Sequence, residues 1–203
     1  MNLVIFGPPG AGKGTQSNFI VNKYNLYQLS TGELLRNEIK NKTKLGIQIS
    51  SIMNSGKNPV QENLLFSKIA SSVMNNSKSI GIYIGGRTLV LKKDFYQANV
   101  EMMSETDLPL YNWIYFGLRE ENGKNSVYTY GLANFNKMEM EIIESNVSIE
   151  ELNEMMFNLA HYVISYDVTL KDGETIGLSA EQKLRISESK GKFLEGKTLK
   201  IEY

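Results

Sequence analysis

The hydrophobic pattern changes its period along the chain. It opens on a short unbroken apolar run, Leu3-Val4-Ile5-Phe6, which reads as a strand buried on both faces. After a glycine-rich break, Phe19, Ile20 and Tyr24 recur at helical spacing, and Leu26–Leu29 predicts a second strand. Ser30-x-x-Glu33 is a capping box that starts a helix after Leu29. Ser55-Gly56-Lys57-Asn58-Pro59 then punctuates the chain. Beyond it, Leu64, Leu65, Ile69, Val73 and Met74 predict a helix over 64–74, Gly81–Gly86 a strand, and 94–104 a helix with Phe95, Val100 and Met103 inward.

The remaining segments read as strands around one long helix. Trp113–Leu118 and Val127–Tyr130 are strand-like, with Glu120–Lys124 as a hairpin loop between them. Ser148-x-x-Glu151, flanked by Val147 and Leu152 as a hydrophobic staple, opens a helix that carries Leu152, Met155, Met156, Leu159 and Val163 on one side. His161 on that helix is expected to be structural, and Val163–Asp167 to be a passage from helix to strand. Asp172-Gly173 signals a hairpin turn between Val168–Leu170 and Thr175–Ile176, and Leu199–Tyr203 a closing strand. Glu139, Glu141 and Glu144 interleave with Met140 and Ile142. That reads as an edge strand with an acidic outer face, the alternative being acids that line a site.

Composition narrows the chemistry. The chain has 203 residues, 41% of them hydrophobic, with no cysteine and a single histidine, so disulfides, thiolate metal sites and histidine-rich centres are excluded. The opening apolar run is too short for a signal peptide or a membrane span, and a cytoplasmic location without membrane partners is expected. The net charge of zero hides a split. Residues 1–60 hold seven Lys and Arg against two acids, a surplus of five, which leaves the rest with fifteen against twenty, a deficit of five. The basic part suits a phosphorylated ligand. Lys40, Lys42 and Lys44 have no aromatic platform beside them and read as a solvated helix face, so nucleic acid is not expected as a partner.

The sharpest local chemistry is the break after the first strand, Gly7-Pro8-Pro9-Gly10-Ala11-Gly12-Lys13-Gly14-Thr15. Glycines at 7, 10, 12 and 14 permit backbone angles that let successive N–H groups converge on one anion. Lys13 supplies a point charge for outer phosphates, Thr15 a hydroxyl suited to Mg²⁺, and the following helix turns its positive end to the same place. The cofactor expected is ATP or a related nucleotide with Mg²⁺. The run Gly7 to Gln16 resembles the signature of the adenylate kinase family. Tyr27 to Arg36 resembles that family's second strand and AMP-side helix, and Met53-Asn54-Ser55-Gly56-Lys57 the end of its AMP-binding segment. The resemblance implies nucleotide contacts from Gly7, Gly10, Gly12, Lys13, Gly14 and Thr15, with Thr31, Gly32 and Arg36 on the AMP side. A solvated helix face is the plain alternative for Arg36.

After Lys57 that pattern stops. Where such kinases carry an Asp-Gly-Phe-Pro-Arg-like strand end, the chain has Gly81-Ile82-Tyr83-Ile84-Gly85-Gly86-Arg87-Thr88, without the acid or the proline. Arg87 falls near the family's arginine and, with Lys13, is the candidate catalytic residue. The whole chain holds four arginines, Arg36, Arg87, Arg119 and Arg185, few for a reaction that consists of positioning and neutralising phosphates. Residues from about 60 resemble a second family, the bacterial domain of unknown function 4261. The residues that carry it are Trp113–Phe116, Tyr128–Leu132, Phe135, Met138–Ile142, Asp172–Gly177 and Gly196–Tyr203. This resemblance implies a compact α+β fold.

The expected architecture is therefore α/β to α+β: a P-loop βαβα start over residues 1–57 joined to a mixed α+β domain over 58–203. The first segment has too few strands for a sheet of its own and is expected to lend them to the second. Two functions compete. One is nucleotide binding at the loop, with nucleoside monophosphate kinase-like phosphotransfer as its stronger form. The other is a noncatalytic interaction module in residues 60–203, where Trp113, Tyr115, Tyr128 and Tyr130 would meet a protein partner unless they form a packed core.

Overall fold

Side-chain caps from Asn58 and Ser148 open the two longest helices among the described residues. The structure, a computed structural model, describes residues 13–25, 31–54, 58–84, 87, 89–177 and 183–203, with the backbone alone at 13, 14, 16, 31–35 and 52–54. The first segment contributes α1 (Lys13–Tyr24), α2 (Thr31–Lys40) and α3 (Lys44–Asn54). The strands expected at Leu3–Phe6 and Leu26–Leu29, the Ser30 cap and the joining of those strands to a larger sheet lie outside the described residues. Thr43 builds the α2–α3 corner: its hydroxyl donates to the Glu38 carboxylate and accepts the Gly46 N–H at 3.0 Å. This corner corrects one expectation. Lys40 ends α2, Lys42 sits in the turn with φ 50°, and Lys44 starts α3, so the three lysines do not share a helix face.

In α4 (Pro59–Asn75) the Asn58 side chain accepts the N–H groups of Val60 and Gln61 at 3.1 and 3.2 Å, and Pro59 takes the first helical position. The helix therefore begins five residues before the start that periodicity alone predicts. β1 (Gly81–Ile84) and β2 (Leu89–Lys92) pair as an antiparallel ribbon. Ile82, Ile84 and Leu91 of this ribbon pack on Ala70 and Met74 of α4 and on Tyr96 of α5 (Lys93–Met102).

The main sheet has six strands in the order β3-β4-β5-β8-β7-β6: β3 (Tyr115–Glu121), β4 (Lys124–Tyr130), β5 (Met140–Ser145), β6 (Thr175–Ile176), β7 (Leu184–Lys190) and β8 (Lys197–Ile201). All neighbours run antiparallel except β5 and β8. The β3–β4 turn is tighter than the five-residue loop expected, because Asn122 and Gly123 both take positive φ and close a two-residue hairpin. The single-turn helix α6 (Leu110–Trp113) replaces the start of the strand expected at Trp113. Trp113 and Ile114 are both buried, at 1% exposure each, which an alternating half-buried strand cannot achieve. The Asp172-Gly173 turn forms, but Val168–Leu170 is not a strand. The turn folds onto β7 instead, with the Gly173 N–H donating to the Ile186 carbonyl at 3.0 Å.

The capping box at Ser148 is half formed. Its hydroxyl accepts the Glu151 N–H at 3.2 Å, while the Glu151 carboxylate takes the Tyr203 hydroxyl at 2.7 Å. α7 (Ile149–Ser165) buries Leu152, Met155, Met156, Leu159 and Val163 as its pattern requires. These residues form the main core with Trp113, Val127, Met140, Ile142, Ile186, Leu199 and Ile201. Phe157 of α7 lies 5.9 Å from Phe116 of β3, ring to ring, which fixes the face of the sheet that the helix covers. A mixed α/β architecture of α+β type results.

Candidate functional site

Three of the candidate phosphate-binding positions meet in one helical turn. α1 begins at Lys13, so Lys13, Gly14 and Thr15 occupy its first turn, and Thr15 is exposed. That turn holds no acidic residue, and the positive end of the helix dipole is not neutralised by its own side chains. At the other end Lys23 complements the dipole, and its ammonium stands over the rings of Phe19 and Tyr24 at 5.8 and 5.4 Å. Gly7, Gly10 and Gly12 lie outside the described residues. Thr31 and Gly32 open α2, and Arg36, exposed, follows one turn on.

Arg87 belongs to a different neighbourhood. Its guanidinium donates to Asn63 Oδ1 at 2.6 Å and stacks on Phe135, 5.4 Å from the ring centre. It is only 8% exposed, and burial pushes its pKa down to about 10, a shift that Tyr96 opposes. Among the described residues its partners come from α4, α5 and the 3₁₀ turn Leu132–Phe135, and none is a candidate site residue. Of the aromatic residues expected to meet a partner, Trp113 donates its indole N–H to Ser67 Oγ at 2.9 Å inside the core, and Tyr128 is buried beneath Phe193. Tyr115 and Tyr130 are the two left exposed. His161 Nε2 lies 3.0 Å from the Thr106 carbonyl oxygen.

The acids of β5 overturn the edge-strand expectation. β5 lies inside the sheet between β4 and β8. The Glu139 carboxylate accepts the N–H groups of Gly131 and Ala133 and the Thr129 hydroxyl, and so ties the 3₁₀ turn to the strand. Glu141 is fully buried. Its carboxylate takes Lys200 Nζ at 2.5 Å, the Thr198 hydroxyl at 2.8 Å and the N–H groups of Lys192 and Phe193 at 3.1 and 2.9 Å. Burial pushes this carboxyl up, but those four donors outweigh it and hold it below the usual carboxylate range. The signal that could have found the cluster is the period of two in β8: Leu199 and Ile201 face the core, so Thr198 and Lys200 must share the other face.

A cleft of about 430 Å³ opens between the start of α4, the exit of the 3₁₀ turn and the end of α7, lined among others by Gln61, Glu105, Lys137 and Asp167. Lys137 and Asp167 pair across it at 2.6 Å. Among the described residues, no candidate phosphate ligand lines it. Among the described residues no group of acids or histidine is arranged to hold a metal ion, and no helix is long and apolar enough to cross a membrane.

Comparison with known proteins places the two halves separately. Residues 128–202 match the family model described as a domain of unknown function, DUF4261. Residues 5–122 match the adenylate kinase family model. The two ranges meet in the β3–β4 hairpin. An adenylate kinase of Pelagibacter ubique is 60% identical over 57 residues, which are 28% of this chain and 27% of that protein. One from Flavobacterium psychrophilum is 44% identical over 91 residues, 44% of this chain and 47% of the relative. Another, from Photorhabdus laumondii, is 35% identical over 113 residues, 54% of this chain and 52% of the relative. The chain thus spans between about a quarter and a half of the length of these relatives. No solved structure matches it. With the kinase model matched over more than half of its residues, the chain belongs to the adenylate kinase family.

Proposed function

We propose that the chain binds a nucleoside triphosphate with Mg²⁺ at the loop Gly7–Thr15. The backbone of Gly7, Gly10, Gly12 and Gly14 and the Lys13 ammonium would hold the phosphates, and Thr15 the metal. Thr31, Gly32 and Arg36 would serve the AMP side. The carrying observation is the 60% identity to an adenylate kinase concentrated in 57 residues. The α1 start at Lys13, with no acid in its first turn, supports it physically, because that helix end favours an anion.

The proposal is a binding act, with phosphotransfer as its extension. Neutralising the transferring phosphoryl group calls for several preorganised cations, and loss of one such donor typically costs about 10²–10³ in rate. Arg87 would have to leave Asn63 and Phe135 to serve. Titration calorimetry of the full chain with Mg–ATP is expected to show binding that weakens at least about tenfold in Lys13→Ala, the loss of one charge-assisted contact. Absence of heat with ATP, ADP and AMP alike would overturn the reading. A coupled assay with ATP and AMP decides whether binding goes on to transfer.

A further inference from the structure

The sheet face opposite α7 carries one continuous row of side chains. By register Gly117 faces Tyr128, Tyr128 faces Glu141, Glu141 faces Lys200, and Lys200 faces Ser187, across five strands. The row is packed to suit itself. A Cβ at residue 117 would lie 2.1 Å from the Tyr128 ring, so the glycine makes the room that the ring fills.

Over this row folds the β7–β8 connection, Gly191–Gly196. Its neck is closed by the Gly191 N–H donating to the Gly196 carbonyl at 2.9 Å, directly beyond the last ladder pair, Lys190 with Lys197. Both neck residues are glycine for steric reasons: a Cβ at residue 191 would meet the Leu194 carbonyl oxygen at 2.3 Å, and Gly196 has φ 83°. The connection is a compact loop with its ends together, the geometry of an Ω-loop in miniature.

Its attachments are few and unlike those of the core. Two N–H groups, of Lys192 and Phe193, reach the Glu141 carboxylate. The Phe193 ring stacks on Tyr128 at 5.2 Å and 22°. Lys192 Nζ pairs with Glu144 at 2.5 Å in the open, where solvent leaves such a pair little strength. None of residues 191–196 is fully buried. When the loop lifts, Glu141 keeps Lys200 and Thr198 and exchanges two N–H donors for water, so no charge is stranded.

We propose that Gly191–Gly196 is a hinged strap that opens as a unit while the sheet stays folded, with the Glu141 carboxylate as its latch. Closed, it covers Tyr128 and Glu141. Open, it presents a phenol, a carboxylate and an ammonium in line on a sheet face. Segments of this kind open locally at lower free energy than the core strands around them.

Amide hydrogen exchange on the full chain, resolved by residue, tests this. In the wild type the Lys192 and Phe193 amides should exchange at least about tenfold faster than the Leu199 amide, which lies inside the sheet. Glu141→Gln should speed both strap amides by about tenfold more than it speeds the Leu199 amide, which reports the change in global stability, since hydrogen bonds to a charged acceptor are the stronger kind. Where that variant fails to fold, Phe193→Ala keeps the carboxylate, removes the stack, and should speed the same two amides with Leu199 unaffected. Strap amides that exchange at the rate of Leu199 in the wild type, or variants that accelerate all three alike, would overturn the strap as an independent unit.

Discussion

The helices at the two ends of this chain are packed in opposite ways. α7 buries Leu152, Met156 and Leu159 completely, whereas on the first segment Phe19 of α1 is 65% exposed and Ile47 of α3 60%. The sheet-and-α7 unit has a continuous core and a satisfied buried carboxylate, but no phosphate signature. The first segment has the signature, and its described helices bury little. The proposed phosphate site would draw on nine consecutive residues, Gly7–Thr15. A core needs residues far apart in sequence to agree. The kinase family match runs over residues 5–122, while the core around α7 draws on residues from Leu64 to Ile201, so match and core overlap only in part.

The largest expected effect tests that contrast directly. Leu159→Ala empties a fully buried site in α7 and should destabilise the sheet unit by about 2–5 kcal/mol. Urea unfolding should show the loss, while Mg–ATP affinity measured well below the transition stays where it was. A parallel fall in nucleotide affinity would show that the halves share one cooperative unit.

Acid should act on the same side of the comparison. The Glu141 carboxyl in the folded protein lies below its ordinary value of 4.5, so it contributes stability that is fully present above about pH 4.5 and is lost as pH falls through the lower, folded value. Thermal unfolding followed from about pH 6 to about pH 3 should show Tm falling below that point. Glu144 shifts in the same direction through Lys192, but it is exposed, and added salt should remove its share and spare that of Glu141. A Tm that holds steady through this range would mean the Glu141 cluster is not closed in solution.

What could be read in advance follows the range of the physics. The Ser148 half of the capping box, the period of α7 and the position of the β3–β4 hairpin were legible because each is settled within a few residues. The role of Glu141 was not, since its partners Lys192, Phe193, Thr198 and Lys200 sit more than fifty residues away and come together only through the parallel β5–β8 pair. Trp113 was misplaced in a strand for a related reason. Its aromatic, β-prone sequence fits a strand, and only the tertiary demand to bury Trp113 and Ile114 together turns the chain into α6. At the candidate site the residue types of the loop were legible, as was the helix that follows them. The placement of Arg87 was not, because its guanidinium is held by Asn63, which lies twenty-four residues earlier.

The smallest expected effect is the most exacting for the first segment. Phe19→Ser removes a ring that is mostly in water and whose one described partner is the Lys23 ammonium at 5.8 Å. Such an exposed cation–π contact is worth about 0.5–1 kcal/mol, and surface substitutions usually stay within about 0.5 kcal/mol. The urea midpoint should therefore hardly move, and with it the heat of nucleotide binding. A loss of more than about 2 kcal/mol would be the cost of uncovering a buried aromatic side chain, and Phe19 would then be packed in solution. In that case α1 would have a core of its own, and the contrast with α7 would shrink to one of degree.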